Sequence, residues 1–173
     1  CPAKQLKKFA RFVSKEGVNI DGISEQTLAK FINLWWIKEY ADIFKLSNYA
    51  QQISKLEGFG DKSATNIIRS VEKARNVEAR KLLYALSIPL CGQDVCIRLL
   101  SAYSFNDLTN IARGSENHAV TLPDSQNNLF TPPAEEILAT IPGIGPEKAG
   151  SFVKWFKNKD NQEIFDHLLP QLR

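Results

Sequence analysis

Four short stretches of this 173-residue chain carry residues suited to holding an anion with the backbone rather than with a side chain. They read Ile20-Asp21-Gly22-Ile23-Ser24, Leu56-Glu57-Gly58-Phe59-Gly60, Ile88-Pro89-Leu90-Cys91-Gly92 and Ile141-Pro142-Gly143-Ile144-Gly145. The shared pattern is apolar, any residue, glycine, apolar, glycine; Ser24 and Leu90 are the two departures from it. Glycine permits positive φ and lets another backbone approach closely. Where such a turn opens a helix, unpaired N–H groups meet the positive end of the helix dipole, and the place suits a phosphate. At any single copy the bland alternative, glycines that merely turn a helix pair, explains the pattern as well.

The copies continue in register, and that favours the anion-binding reading over chance. Eight residues after each first apolar residue stand Leu28, Ala64, Cys96 and Ala149. Eleven and twelve residues after it stand Phe31-Ile32, Ile67-Ile68, Leu99-Leu100 and Phe152-Val153. This is helical periodicity, so the repeating unit is a helix, a tight hairpin and a second helix. The first residues of the copies are 20, 56, 88 and 141, and the long last step is accounted for by an inserted loop at about 114–133. That loop carries three prolines and three asparagines among Gly, Ser and Asp, and little periodicity.

The rest of the chain reads as helix too. Residues 4–14 form an amphipathic pattern with Leu6, Phe9, Ala10 and Val13 on one face. Ser24 suits an N-cap, and further helices are expected at 40–44, 49–56, 61–76, 77–86, 94–103 and 106–113, with a restart at Pro133. No strand alternation is visible. The fold class expected is all-α, with four helix-hairpin-helix motifs arranged as two paired units, residues 1–78 and 79–173.

Composition sets the remaining bounds. Apolar residues make up 43% and charged residues 24%, ordinary for a soluble globular chain. No apolar run approaches membrane-spanning length and no secretory leader is evident. The chain has no methionine and opens on Cys1, which reads as a fragment or a processed chain. Three cysteines, Cys1, Cys91 and Cys96, without framework spacing suggest a reducing, cytoplasmic setting.

Net charge is a modest +3, but its distribution matters more. Lys4, Lys7, Lys8, Arg11 and Lys15 lie together without an intervening acid, and further basic residues follow the second and fourth hairpins, Lys62 and Lys148 first among them. Each stretch alone is an ordinary solvated helix face; their place beside the hairpins suggests a nucleic-acid partner. The candidate phosphate-binding residues are therefore Gly22, Ser24, Gly58, Gly60, Lys62, Ser63, Gly92, Gly143, Gly145 and Lys148.

Other chemistry is thin. His118 and His167 have no cysteine pair or carboxylate cluster at metal-ligand spacing. No phosphate-binding loop or nucleophile-elbow motif is present, so no catalytic residue is assigned. Trp155, spaced from Phe152 and Phe156 as helix neighbours, reads as core. Trp35 and Trp36 point to different sides of a helix, so one of them is expected to be partly exposed.

Taken in order, Cys1-Pro2-Ala3, Asn19 through Ile23, Leu56 through Ala64 with Asn66, Leu83 through Ile88 with Gly92, and Ile141 through Gly145 resemble the tandem helix-hairpin-helix region of bacterial NAD+-dependent DNA ligases. The resemblance covers nearly the whole chain. It implies sequence-independent binding of nicked duplex DNA through phosphates in the minor groove, within an enzyme of replication and repair. It also implies that Cys1 is the last ligand of a four-cysteine zinc site completed upstream. NAD+, Mg2+ and Zn2+ would then serve the parent enzyme, while this segment alone would be inactive and without a cofactor. The implied protein is a monomer, cytoplasmic and nucleoid-associated, touching the other ligase domains and no membrane. Two other readings stay open. One is a helix-hairpin-helix DNA glycosylase, for which Asp166 is suitably spaced, although Glu147 stands where that class has a lysine. The other is a non-enzymatic scaffold for DNA or protein.

Overall fold

The computed structural model describes residues 2–114 and 132–173. Cys1 and almost all of the 114–133 insertion lie outside the described residues. Among the described residues every regular element is helical: α1 (Pro2–Val13), α2 (Glu25–Asn33), α3 (Tyr40–Ile43), α4 (Ala50–Ser54), α5 (Asp61–Ala74), α6 (Ala79–Ala85), α7 (Gln93–Ala102), α8 (Phe105–Arg113), α9 (Ala134–Ala139), α10 (Pro146–Lys157) and α11 (Lys159–Leu168). Short 3-10 turns occupy Leu46–Tyr49 and Leu169–Gln171. The protein is all-α.

Packing gathers residues up to Ser87, with 163–173, into one unit, and residues 88–162 into a second. The division at 78 is one of sequence repeat; α6 packs against α1 and belongs to the first unit.

In the first unit the buried stripe of α1 is Phe9, Phe12 and Val13, with Leu6 and Ala10 half-buried at its margin. Phe12 stacks on Tyr40 at 4.4 Å between ring centroids and meets Phe44 edge-on at 6.2 Å. The C-terminal residues are tied to this core. Arg75 donates from Nη1 to the Gln171 carbonyl at 2.8 Å and from Nη2 to the Phe44 carbonyl at 2.7 Å. His167 Nδ1 lies 2.7 Å from Glu39 Oε1.

The end of α2 explains the tryptophan pair. The Trp36 amide donates to the Phe31 carbonyl and the Trp35 amide to the Ile32 carbonyl, each at 3.0 Å. This is a Schellman termination, in which one residue must adopt the left-handed conformation. That residue is Trp35, at φ +62°, and its side chain is 74% exposed. Trp36 turns inward, stacks on Tyr49 at 4.6 Å and packs near Phe31 at 5.4 Å. The exposed member of the pair is thus Trp35.

In the second unit Cys96, Leu108, Leu138, Phe152, Val153 and Phe156 are fully buried. Phe152 and Phe156 are in ring contact at 4.9 Å. Trp155 departs from the core assignment. It is half-buried, edge-on to Phe156 at 4.8 Å, and its spacing puts it at the rim of the apolar stripe rather than in its centre.

Candidate nucleic-acid interface

The four glycine stretches are turns between helices, α1 to α2, α4 to α5, α6 to α7 and α9 to α10. Their backbones follow one design. The third residue takes left-handed φ in every copy: Gly22 +86°, Gly58 +83°, Leu90 +64° and Gly143 +84°. The fifth residue is the N-cap of the next helix in every copy. Its carbonyl accepts from the buried residue four positions on, Leu28 at 2.9 Å, Ala64 at 3.0 Å, Cys96 at 3.1 Å and Ala149 at 3.0 Å. Phe59, Cys91 and Ile144 also donate to the carbonyl three residues back, closing the second, third and fourth turns. The residues at the eighth and eleventh offsets are buried in all four copies.

The residue preceding the pattern sorts the copies into two kinds. Asn19 and Ser87 adopt φ +59° and +57°, whereas Lys55 and Thr140 are right-handed. The first and third hairpins are alike in this, and so are the second and fourth.

One expectation about glycine needs correcting. Only the third position requires positive φ. Gly60, Gly92 and Gly145 have φ of −146°, −75° and −87°, open to any residue. A Cβ built on any of these three would find no atom within 4 Å. Nothing inside the protein demands glycine there, so its effect is to keep the surface in front of each helix N-terminus bare. None of these three helices has a side-chain cap, and their first-turn amides stay available to an outside acceptor.

The first hairpin differs. Ser24 Oγ accepts from the Thr27 amide at 3.1 Å and lies 3.0 Å from Thr27 Oγ1. Its hydroxyl already caps α2 and occupies the place that an external anion would take. The turn packs on α5: the Asp21 amide donates to Ser70 Oγ at 2.8 Å, and Gly22 faces Ile67.

The side chains around the open turns are not equivalent. Lys62 is exposed at the second position of α5, with half-buried Ser63 next to it. Lys148 is half-buried at the third position of α10, after Pro146 and Glu147. At the third hairpin Asp94 stands where the second has Lys62, and it pairs with Arg98 at 2.8 Å. The fourth hairpin also receives Arg98, whose Nη1 donates to the Pro142 carbonyl at 3.2 Å. Reciprocally, Ser151 on α10 donates from Oγ to the Pro89 carbonyl in the third hairpin. Sequence spacing gave no sign of either contact.

On the opposite side of the ledger, the described residues hold no group of three or more histidine, cysteine or acidic side chains fit for a metal. Asp166 is on α11 among residues of the first unit, while Glu147 is in the second. No described helix is long and apolar enough to cross a membrane.

No protein-family profile matches the chain. Comparison with individual proteins is decisive. A DNA ligase of Lachnoclostridium phytofermentans is 35% identical over 176 residues, covering 99% of this chain and 23% of the ligase. The chain is homologous to a segment of bacterial DNA ligases. A DNA ligase of Ruminiclostridium cellulolyticum is 36% identical over 172 residues, and one of Erythrobacter litoralis is 32% identical over 178. The chain therefore spans about a quarter of the length of the curated ligases it matches. In these alignments all four hairpins fall within the ligase segment, because it takes in nearly the whole chain.

Proposed function

We propose that this chain is the tandem helix-hairpin-helix segment of an NAD+-dependent DNA ligase, and that it grips nicked duplex DNA through phosphates without reading sequence. The observation that carries the reading is the repeated turn. Three helix N-termini, at Gly60, Gly92 and Gly145, are uncapped and face open space at glycines with no internal steric need to be glycine. Amides at such a place suit phosphate oxygens, and phosphate contacts carry no sequence information. Nicks arise in any sequence, so this is the binding that sealing requires. Lys62 and Lys148 add charge beside two of the turns.

The residues of the segment bind and orient; the transfer of AMP to the 5′ phosphate belongs to other parts of the parent enzyme, along with NAD+ and Mg2+. Cys1, which lies outside the described residues, would contribute one ligand of a zinc site in the parent enzyme. The parent would act in DNA replication and repair in the cytoplasm. The glycosylase reading is the weaker one because Glu147 stands where that class has its lysine.

Titration of the chain against several unrelated duplexes at two salt concentrations tests the proposal. Affinities within a few-fold of one another, falling steeply with salt, are expected. A strong preference for one duplex, or indifference to salt, would reject it.

A further inference from the structure

Within the second unit, two contacts join the third and fourth hairpins in the same way from opposite sides. Arg98 lies ten residues after Ile88, and Ser151 lies ten residues after Ile141. Each stands on the helix that follows its own hairpin. Each donates to the carbonyl of the second residue of the other turn, Arg98 to Pro142 and Ser151 to Pro89. Arg98 is itself held on α7 by Asp94, whose Oδ2 accepts from Nε at 2.8 Å. Its guanidinium also fills the space beside Gly143, where a Cβ would come within 2.5 Å of Nη1. The glycine at 143 thus serves two ends, the left-handed turn and room for this arginine.

The geometry points to Arg98 as a positioning residue for DNA binding, fixing the third and fourth hairpins as one two-point grip. This rests on the proposed function above. A surface ion pair as exposed as Arg98–Asp94 contributes little to stability, so the arginine is not explained as a fold-stabilising group. A fixed spacing matters for a different reason. When two weak sites are held at the separation of their targets, the second contact forms at high effective concentration, and loosening the link loses that gain without touching either site. Lysine at 98 would keep the charge but lose the planar fork that binds Asp94 and the Pro142 carbonyl at once.

The experiment measures duplex DNA affinity of the 173-residue chain with Arg98→Gln, Arg98→Lys, Gly145→Val and the two double variants. Arg98→Gln is expected to lower affinity about three- to tenfold. Arg98→Lys should lower it equally, although the charge is kept. Adding Gly145→Val to Arg98→Gln should cost less than Gly145→Val costs alone, because the fourth hairpin is then already misplaced. Ser151→Ala should give a smaller loss in the same direction, and it keeps the test valid if an Arg98 variant does not fold. Full rescue by lysine, strictly additive losses, or unchanged affinity in the Arg98 variants would overturn the positioning role while leaving phosphate binding intact. Failure of the unsubstituted chain to bind duplex DNA would overturn both.

Discussion

Leu90 and Gly143 occupy the same place in two hairpins of the second unit and share one left-handed conformation, with φ of +64° and +84°. The turn, not the side chain, sets the backbone there. A leucine in that region carries a steric cost that glycine does not. Since Leu90 is 60% exposed, it recovers little of that cost by burial.

Leu90→Gly should therefore stabilise the protein, by about 1 kcal/mol once the greater freedom of glycine in the unfolded chain is counted. Urea unfolding would show it as a raised midpoint with unchanged slope. A lowered midpoint would mean that Leu90 makes contacts worth more than its strain.

Valine at the fifth position separates folding from binding. Because a Cβ at Gly60, Gly92 or Gly145 meets nothing, each variant should fold, with a stability loss of about 1 kcal/mol or less from the weaker N-cap. Affinity for duplex DNA should fall at all three sites, and further for Gly60→Val and Gly145→Val than for Gly92→Val. The reason is that Lys62 and Lys148 support the first two, while Asp94 stands beside the third. Equal losses at the three sites would refute the ranking.

Tyr40 gives the fold a response to alkali. Burial pushes its phenol from the ordinary value near 10 up to about 12, with the Arg11 charge drawing it partly back. Below pH 10 the phenol is neutral in both folded and unfolded chains, so its contribution is whole. Between pH 10 and 12 the unfolded chain releases this proton while the folded chain retains it, and stability falls by about 2–3 kcal/mol. Tyr40→Phe should flatten the stability curve in that window. It should also cost about 1 kcal/mol at neutral pH, because the hydroxyl donates to the Leu86 carbonyl at 3.3 Å. An alkaline slope identical in both proteins would refute the assignment to Tyr40.

The two adjacent tryptophans should behave oppositely. Trp35→Gly relieves a left-handed residue at an exposed site and should leave the melting temperature equal or higher. Trp36→Ala removes a ring packed against Tyr49 and Phe31, and should cost about 3 kcal/mol. Fluorescence distinguishes them as well: quenching by iodide should be lost largely with Trp35.

Much of this protein is settled by its sequence alone. The repeated five-residue pattern and the apolar residues eight and eleven places on determine a turn and a helix, since both are local: glycine at Gly22, Gly58 and Gly143 meets a φ requirement, and helical spacing places Leu28, Ala64, Cys96 and Ala149 inward. The all-α class follows from the same periodicity. What the sequence left open depends on residues far apart in the chain. Ser24 is legible in the sequence as an N-cap and does cap α2, but that Leu90 keeps the turn shows only in its φ. Only packing turned Trp36 rather than Trp35 inward, to a half-buried place against Tyr49 and Phe31. The C-terminal residues are fastened at Gln171 by Arg75 and at His167 by Glu39, 96 and 128 residues away in sequence. The link from Arg98 to Pro142 likewise spans 44 residues. Local spacing fixes which amides are free; only the tertiary fold fixes how far apart two sets of them are held.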